Sequence, residues 1–233
     1  MYHFIGIKGA GMSSLAVIMK QLGYSVEGSD IAKHFFTEAE LIKNNIPIMT
    51  YDEKNITSDL TIIRGLSITS ENPELIAAKK LNLKIIDYNE MVGLLTKEFK
   101  TICVAGCHGK TTTTSMISLA FLEAKKDPTI QVGAILKPIN GNYRVGNSDT
   151  FILESCEYCE QFLKFHPQTA VVLNIDNDHL DYYKDLDHIK LAFEHFVELL
   201  PNDGILVLNM DDQNSSDLYK YTKARTVTIG IES

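Results

Sequence analysis

The sequence predicts an α/β fold built on parallel sheets, and three observations point to it. Strand-like apolar runs alternate with helix-like runs along most of the chain. Two of the strand-to-helix junctions are glycine turns, at residues 6–11 and 106–109. Hydrophobic residues make up 45% and charged residues 22% of 233 positions, which is enough apolar material for a packed core without disulfide staples.

Residues 2–7 form the first strand. Gly6, Gly9 and Gly11 follow, and then Leu15, Ala16, Ile18, Met19 and Leu22 recur at helical spacing until Gly23 stops the helix. A second strand over 25–29 ends at Asp30, and strand and helix pair again at 60–63 with 73–81 and at 84–86 with 89–95. The chain turns polar and charged at 96–100, which sets a domain boundary there, with a first domain over 1–98 and a second over 99–233. The second domain opens with a strand at 101–105, the second glycine turn and a helix over 110–123. Strands follow at 151–153, 170–174, 205–208 and 226–229. A helix over 186–200 presents Ile189, Phe193, Phe196 and Leu200 on one face as core. The chain stops at Ser233 just after a strand, which predicts that it is part of a longer protein.

Twenty-two Lys and Arg against thirty Asp and Glu leave a formal charge of −8, which argues against a nucleic-acid binder held by charge. No run approaches the roughly 18 apolar residues of a membrane span, and Lys8 and glycines stand where a secretory apolar region would lie. A cytoplasmic chain without membrane insertion is expected. All four cysteines fall between Cys103 and Cys159 and are read as thiols. Cys103 sits inside a strand and Cys107 inside a glycine turn, so with Cys156 and Cys159 they are not read as a zinc site.

The string Gly106-Cys107-His108-Gly109-Lys110-Thr111-Thr112 follows a strand and opens a helix, where free backbone N–H groups and the helix dipole hold phosphates. Lys110 would reach the outer phosphates, and the Thr111 hydroxyl would face magnesium. The generic phosphate loop has glycine five residues before Gly109, where this chain has Val104. In the first turn, reading from Gly9 gives G-x-G-x-x-S ending at Ser14, and Asp30 lies where an acid can meet a ribose hydroxyl. Glu154 ends one strand and His179 follows another. Parallel strands would bring both to the sheet edge that carries the phosphate turn, as oxygen and imidazole donors for magnesium.

Taken with Asn72-Pro73-Glu74, Asp127-Pro128-Thr129, the run 174–182 and Asn209-Met210-Asp211-Asp212, these strings resemble the Mur ligases, the ATP-dependent amide-forming enzymes of peptidoglycan precursor synthesis. The resemblance explains Val104, because the family's turn resembles G-x-H-G-K-T. It implies a Rossmann-like parallel-sheet domain for a UDP-sugar, then a truncated P-loop central domain for ATP, with the family's C-terminal domain absent. It further implies that the UDP-N-acetylmuramate carboxylate takes the γ-phosphoryl group of ATP and the amine of L-alanine then attacks the acyl phosphate. Carried over residue by residue, Lys110, Glu154 and His179 would be catalytic. Gly106, Cys107, His108, Gly109, Lys110, Thr111, Thr112 and Asn174 would bind ATP, and Thr111, Glu154 and His179 would hold Mg2+. Gly9, Ala10, Gly11, Met12, Ser13, Asp30 and Ser67 would bind the UDP-sugar.

Glu154-Ser155-Cys156-Glu157-Tyr158 stands where many members have Glu-Ala-Asp-Glu-Ser, and Cys156 is given no catalytic role. The later-acting siblings carry a carbamylated lysine at a place that falls here near Phe193 and Glu194, which supports the alanine-adding branch. Competing readings are a recycling ligase that attaches a whole peptide, a nicotinamide-dependent oxidoreductase in which Lys110 has no place, and a non-catalytic UDP-sugar-binding fragment.

Overall fold

The computed structural model describes residues 1–231. The chain forms two compact units, Met1–Val92 and Gly93–Ser233; the last two residues assigned to the second domain lie outside the described ones.

The first unit runs β1 (Tyr2–Ile5), α1 (Ala10–Gln21), β2 (Val26–Asp30), α2 (Glu38–Lys43), β3 (Ile48–Thr50), β4 (Thr61–Arg64), α3 (Pro73–Lys80), β5 (Ile85–Asp87) and α4 (Tyr88–Thr96), the last of which continues into the second unit. Its five strands are all parallel in the order β3-β2-β1-β4-β5. Strand order reverses between β1 and β4, and a crevice opens beyond the carboxyl ends of strands at such a point. Phe4, Ile5, Ile62 and Ile63 of the central strands are buried in adjacent pairs, as parallel strands covered on both faces require, and Leu15 to Met19 of α1 are buried with them. Asn72 caps α3 by accepting from the N–H groups of Glu74 and Leu75, with Pro73 in the first turn.

A polar network crosses this apolar core. His3, fully buried, meets Glu27 at 3.0 Å and Glu74 at 3.5 Å, and the Ser29 hydroxyl donates to Glu74. Glu74 also accepts from Asn55 Nδ2 at 2.6 Å and from the N–H of Asp52 at 3.3 Å, which ties α3 to the loop after β3. Burial alone would lower the His3 pKa, but its bonds to Glu74 and Glu27 prevail and raise it.

The second unit runs β6 (Lys100–Ala105), α5 (Lys110–Glu123), β7 (Thr129–Leu136), β8 (Gly141–Arg144), β9 (Thr150–Glu154), β10 (Pro167–Val172), α6 (Leu186–Glu198), β11 (Ile205–Asn209) and β12 (Arg225–Ile229). Its seven strands lie in the order β12-β11-β10-β6-β9-β7-β8. The sequence reading expected a parallel sheet flanked by helices; β12 to β7 are parallel neighbours, and the edge strand β8 runs antiparallel to β7, which makes the sheet mixed. The β7–β8 hairpin was absent from that reading. It turns through a single helical turn at Lys137–Ile139 and a left-handed Asn140, and Arg144 pairs with Asp127. Under the sheet, Phe162 stacks on Phe196 at 4.6 Å and meets Phe193 edge-on at 5.1 Å, so the apolar face of α6 is core as its spacing predicts. Among the described residues no helix is long and apolar enough to cross a membrane, and all four cysteines are free.

Candidate active site

β6, β9 and β10 are neighbours and parallel, so their carboxyl ends share one edge of the second sheet. The turn after β6 lies there. Gly106 takes φ +143°, and a Cβ on it would fall 2.9 Å from Leu173, so only glycine fits. Gly109 is the N-cap of α5 at φ +83° and has no side chain to cap the helix. The first intrahelical bond runs from Thr113 N to Gly109 O, which leaves the N–H groups of Lys110, Thr111 and Thr112 ahead of it for an anion.

Asn174, just past β10, holds this turn in place. Its carbonyl accepts from Cys107 N, its Oδ1 accepts from His108 N at 2.8 Å, and its Nδ2 donates to His108 O at 3.0 Å. The residue expected to touch ATP therefore spends its side chain on the turn. Cys107 is buried, its Sγ accepting from Asp176 N, and burial pushes its thiol up to about 11. His108 is exposed and reaches Asp176 Oδ2 at 3.2 Å.

Thr111 and Glu154 meet directly. The Thr111 hydroxyl donates to Glu154 Oε1 at 2.9 Å, and Gly133 N on β7 donates to Oε2 at 2.6 Å. A Cβ on Gly133 would lie 2.6 Å from Glu154 Oε1, so glycine at 133 makes room for the carboxylate. Lys110 Nζ folds back over its own turn to Gly106 O at 2.7 Å and Cys107 O at 3.2 Å, and pairs with both Glu157 oxygens at 2.9 and 2.8 Å.

The carboxylate beside His179 is also Glu157, at 3.6 Å from Nε2. Glu157, Asp178 and His179 bring their ligand atoms within 4.8 Å of one another, and Tyr158 packs on the His179 ring with centroids 4.7 Å apart. Tyr183 OH anchors the segment by donating to the Glu157 carbonyl at 2.5 Å. Cys159, Glu160 and His179 all take left-handed backbone at φ +51°, +55° and +53°. Sequence reasoning missed Glu157, although it is the second acid of the 154–158 string; Gly133 gave no signal because its strand went unread. Oxygen donors from Thr111, Glu154 and Glu157 with one imidazole suit a magnesium-type cation.

In the first unit, Gly9, Asp30 and Ser67 line one open cleft of about 560 Å3 together with Phe35 and Tyr51, which the sequence did not single out. Asp30 Oδ2 accepts from Lys8 N at 2.7 Å and Oδ1 from Ile31 N at 2.8 Å, so the acid shapes the loop around the cleft. Lys8 Nζ bonds Glu38 at 2.8 Å and the carbonyls of Ile31 and Lys33. Of the other residues expected at the UDP-sugar, Ala10 and Gly11 open α1, Met12 is buried, and the buried Ser13 bonds Ala10 O.

Residues 1–100 match the Mur ligase family catalytic domain, and residues 104–233 match the Mur ligase middle domain. The chain is 46% identical over 233 residues to a UDP-N-acetylmuramate–L-alanine ligase of Caldicellulosiruptor bescii, covering 99% of this chain and 51% of that protein. Among solved structures it resembles a UDP-N-acetylmuramate-alanine ligase from Thermotoga maritima (30% identity, TM-score 0.82), over 100% of this chain and 53% of that one. It also resembles a UDP-N-acetylmuramate:L-alanyl-gamma-D-glutamyl-meso-diaminopimelate ligase from Neisseria meningitides (25% identity, TM-score 0.86), over 97% and 76%. The chain spans about half the length of the curated relatives it matches.

Proposed function

Because the chain belongs to the Mur ligase family, we propose that it supplies the UDP-sugar and ATP sites of a ligase that joins L-alanine to the carboxylate of UDP-N-acetylmuramate. The observation that carries this reading is the meeting of Lys110, Thr111, Glu154 and Glu157 over the open N-terminus of α5. L-alanine is favoured over a preformed peptide by the names of relatives at 46 and 47% identity. All three substrates are small molecules, and the supply of ATP sets the activity in the cytoplasm.

In this reaction a carboxylate oxygen of the sugar attacks the γ-phosphorus and ADP leaves with the electrons of the broken bond. The amine of L-alanine then attacks the acyl carbon, phosphate departs, and the nitrogen loses a proton. The N–H groups of the first turn of α5 would hold the phosphate oxygens, and Lys110 would offset charge on the transferring group. Thr111, Glu154 and His179, joined by Glu157, would hold magnesium, which when bound neutralises and aligns phosphate oxygens. The cleft beside Gly9, Asp30 and Ser67 would take the UDP portion. Calorimetry of this chain with Mg-ATP, UDP-N-acetylmuramate and NAD tests the assignment: the first two should bind, and tighter binding of NAD would overturn it.

A further inference from the structure

We propose that Glu157 is an exchangeable counter-ion for Lys110, held on the ammonium until a nucleotide phosphate takes its place and then neutralised by a divalent cation, so that nucleotide and cation enter as a linked pair. The inference rests on reading residues 106–112 as the ATP turn.

All three ammonium protons of Lys110 have acceptors in its own unit: Gly106 O, Cys107 O and Glu157 Oε1. A γ-phosphate that engages Lys110 must therefore displace at least one of them, and Glu157 is the only one of the three that carries charge. Glu157 is 1% exposed, so a carboxylate left behind cannot turn to water. A buried charge stripped of its partner is strongly unfavourable. His179 and Asp178 already face it within ligand distance of one another, which gives an incoming cation a place to replace the lost ammonium. Tyr183 OH pins the Glu157 carbonyl, so the exchange moves charges rather than the backbone.

The test titrates the 233-residue chain and its Glu157→Gln variant with ATP by calorimetry, in EDTA and in magnesium, with thermal melting to verify the fold. A neutral amide strands no charge when Lys110 leaves it. The variant should thus bind ATP in EDTA about tenfold more tightly than the wild type, a gain of about 1.4 kcal/mol, and gain correspondingly less from magnesium, the share held by Thr111 and Glu154 remaining. A merely structural role would weaken binding in both media. Lys110→Ala provides the reverse measurement: with the ammonium gone, Mn2+ alone should bind about tenfold more tightly than to the wild type, and this variant decides the matter should Glu157→Gln unfold. ATP binding in EDTA that is no tighter in a folded Glu157→Gln, or no gain in Mn2+ affinity in Lys110→Ala, would overturn the exchange. Wild-type chain that fails to bind Mg-ATP would sink the ATP reading with it; wild-type binding with unchanged linkage in Glu157→Gln sinks the exchange alone.

Discussion

Gly133→Ala should separate ATP binding from folding. The added Cβ would stand 2.6 Å from Glu154 Oε1, inside the 3.0 Å that real Cβ contacts observe, and 3.0 Å from its Cδ and Oε2, at that limit. The clash is with the far end of a flexible side chain, so the carboxylate retreats while the backbone stays. Gly133 is exposed and its backbone is open to alanine, which keeps the change in stability within about 0.5 kcal/mol. The retreat strains both bonds that place Glu154, at 2.9 Å from Thr111 and 2.6 Å to Gly133 N. Weakening two bonds to a charged group by about 1 kcal/mol each predicts about 2 kcal/mol, or roughly 30-fold weaker Mg-ATP. Calorimetry with Mg-ATP beside a urea melt reads the two quantities on one sample. Gly146→Ala is the control, since its Cβ would strike the backbone carbonyls of Asp127 and Pro128 and destabilise the hairpin without touching Glu154. Mg-ATP affinity within twofold of wild type in Gly133→Ala would show that the position of Glu154 does not matter to the nucleotide.

In the complete ligase, Lys110→Ala should abolish amide formation and leave UDP-N-acetylmuramate binding within about threefold, as phosphate release and equilibrium dialysis would report. Asp30→Ala removes the acceptor for Lys8 N and Ile31 N and should weaken the UDP-sugar at least tenfold, measured by calorimetry. His3 has a folded pKa above its unfolded 6.5, so its stabilisation is complete below pH 6.5 and is lost as pH rises through the folded value. Urea midpoints of the first unit between pH 6 and 9 should therefore fall with pH, and Glu27→Gln should flatten that slope. The 233-residue chain mixed with ATP, UDP-N-acetylmuramate and L-alanine should yield phosphate slowly and no amide product by mass spectrometry, because it spans about half the length of the ligases it resembles.

The glycine turns and their flanking strands and helices were legible because each states a physical demand in its own residues. Residues 110–123 read as helix and are helix. The elements that escaped are short or carry their reason elsewhere: α2 has six residues, β3 has three, and β7 is followed by polar residues whose hairpin depends on a pairing of Arg144 with Asp127 that no local pattern announces. In the site, Lys110, Thr111 and Glu154 could be placed from their positions at strand ends and a helix start. That Asn174 would bind the turn, or that Glu157 would stand between Lys110 and His179, is set by how β10 and the segment after β9 come back to the same edge.

Eight non-glycine residues among those described hold left-handed backbone. Four are Asn or Asp, side chains that tolerate that region, and Asn45 and Asn82 close the short helices α2 and α3. Cys159 and Glu160 have no such tolerance, and each costs on the order of 1 kcal/mol. Gly or Asn at these positions would relieve that cost, as Asn does at the ends of α2 and α3. An imidazole at 179 keeps a side chain that glycine cannot offer, at the edge where Glu157 and Asp178 converge. Attempts to stabilise this protein by substitution should therefore spare residue 179, whose imidazole faces Glu157.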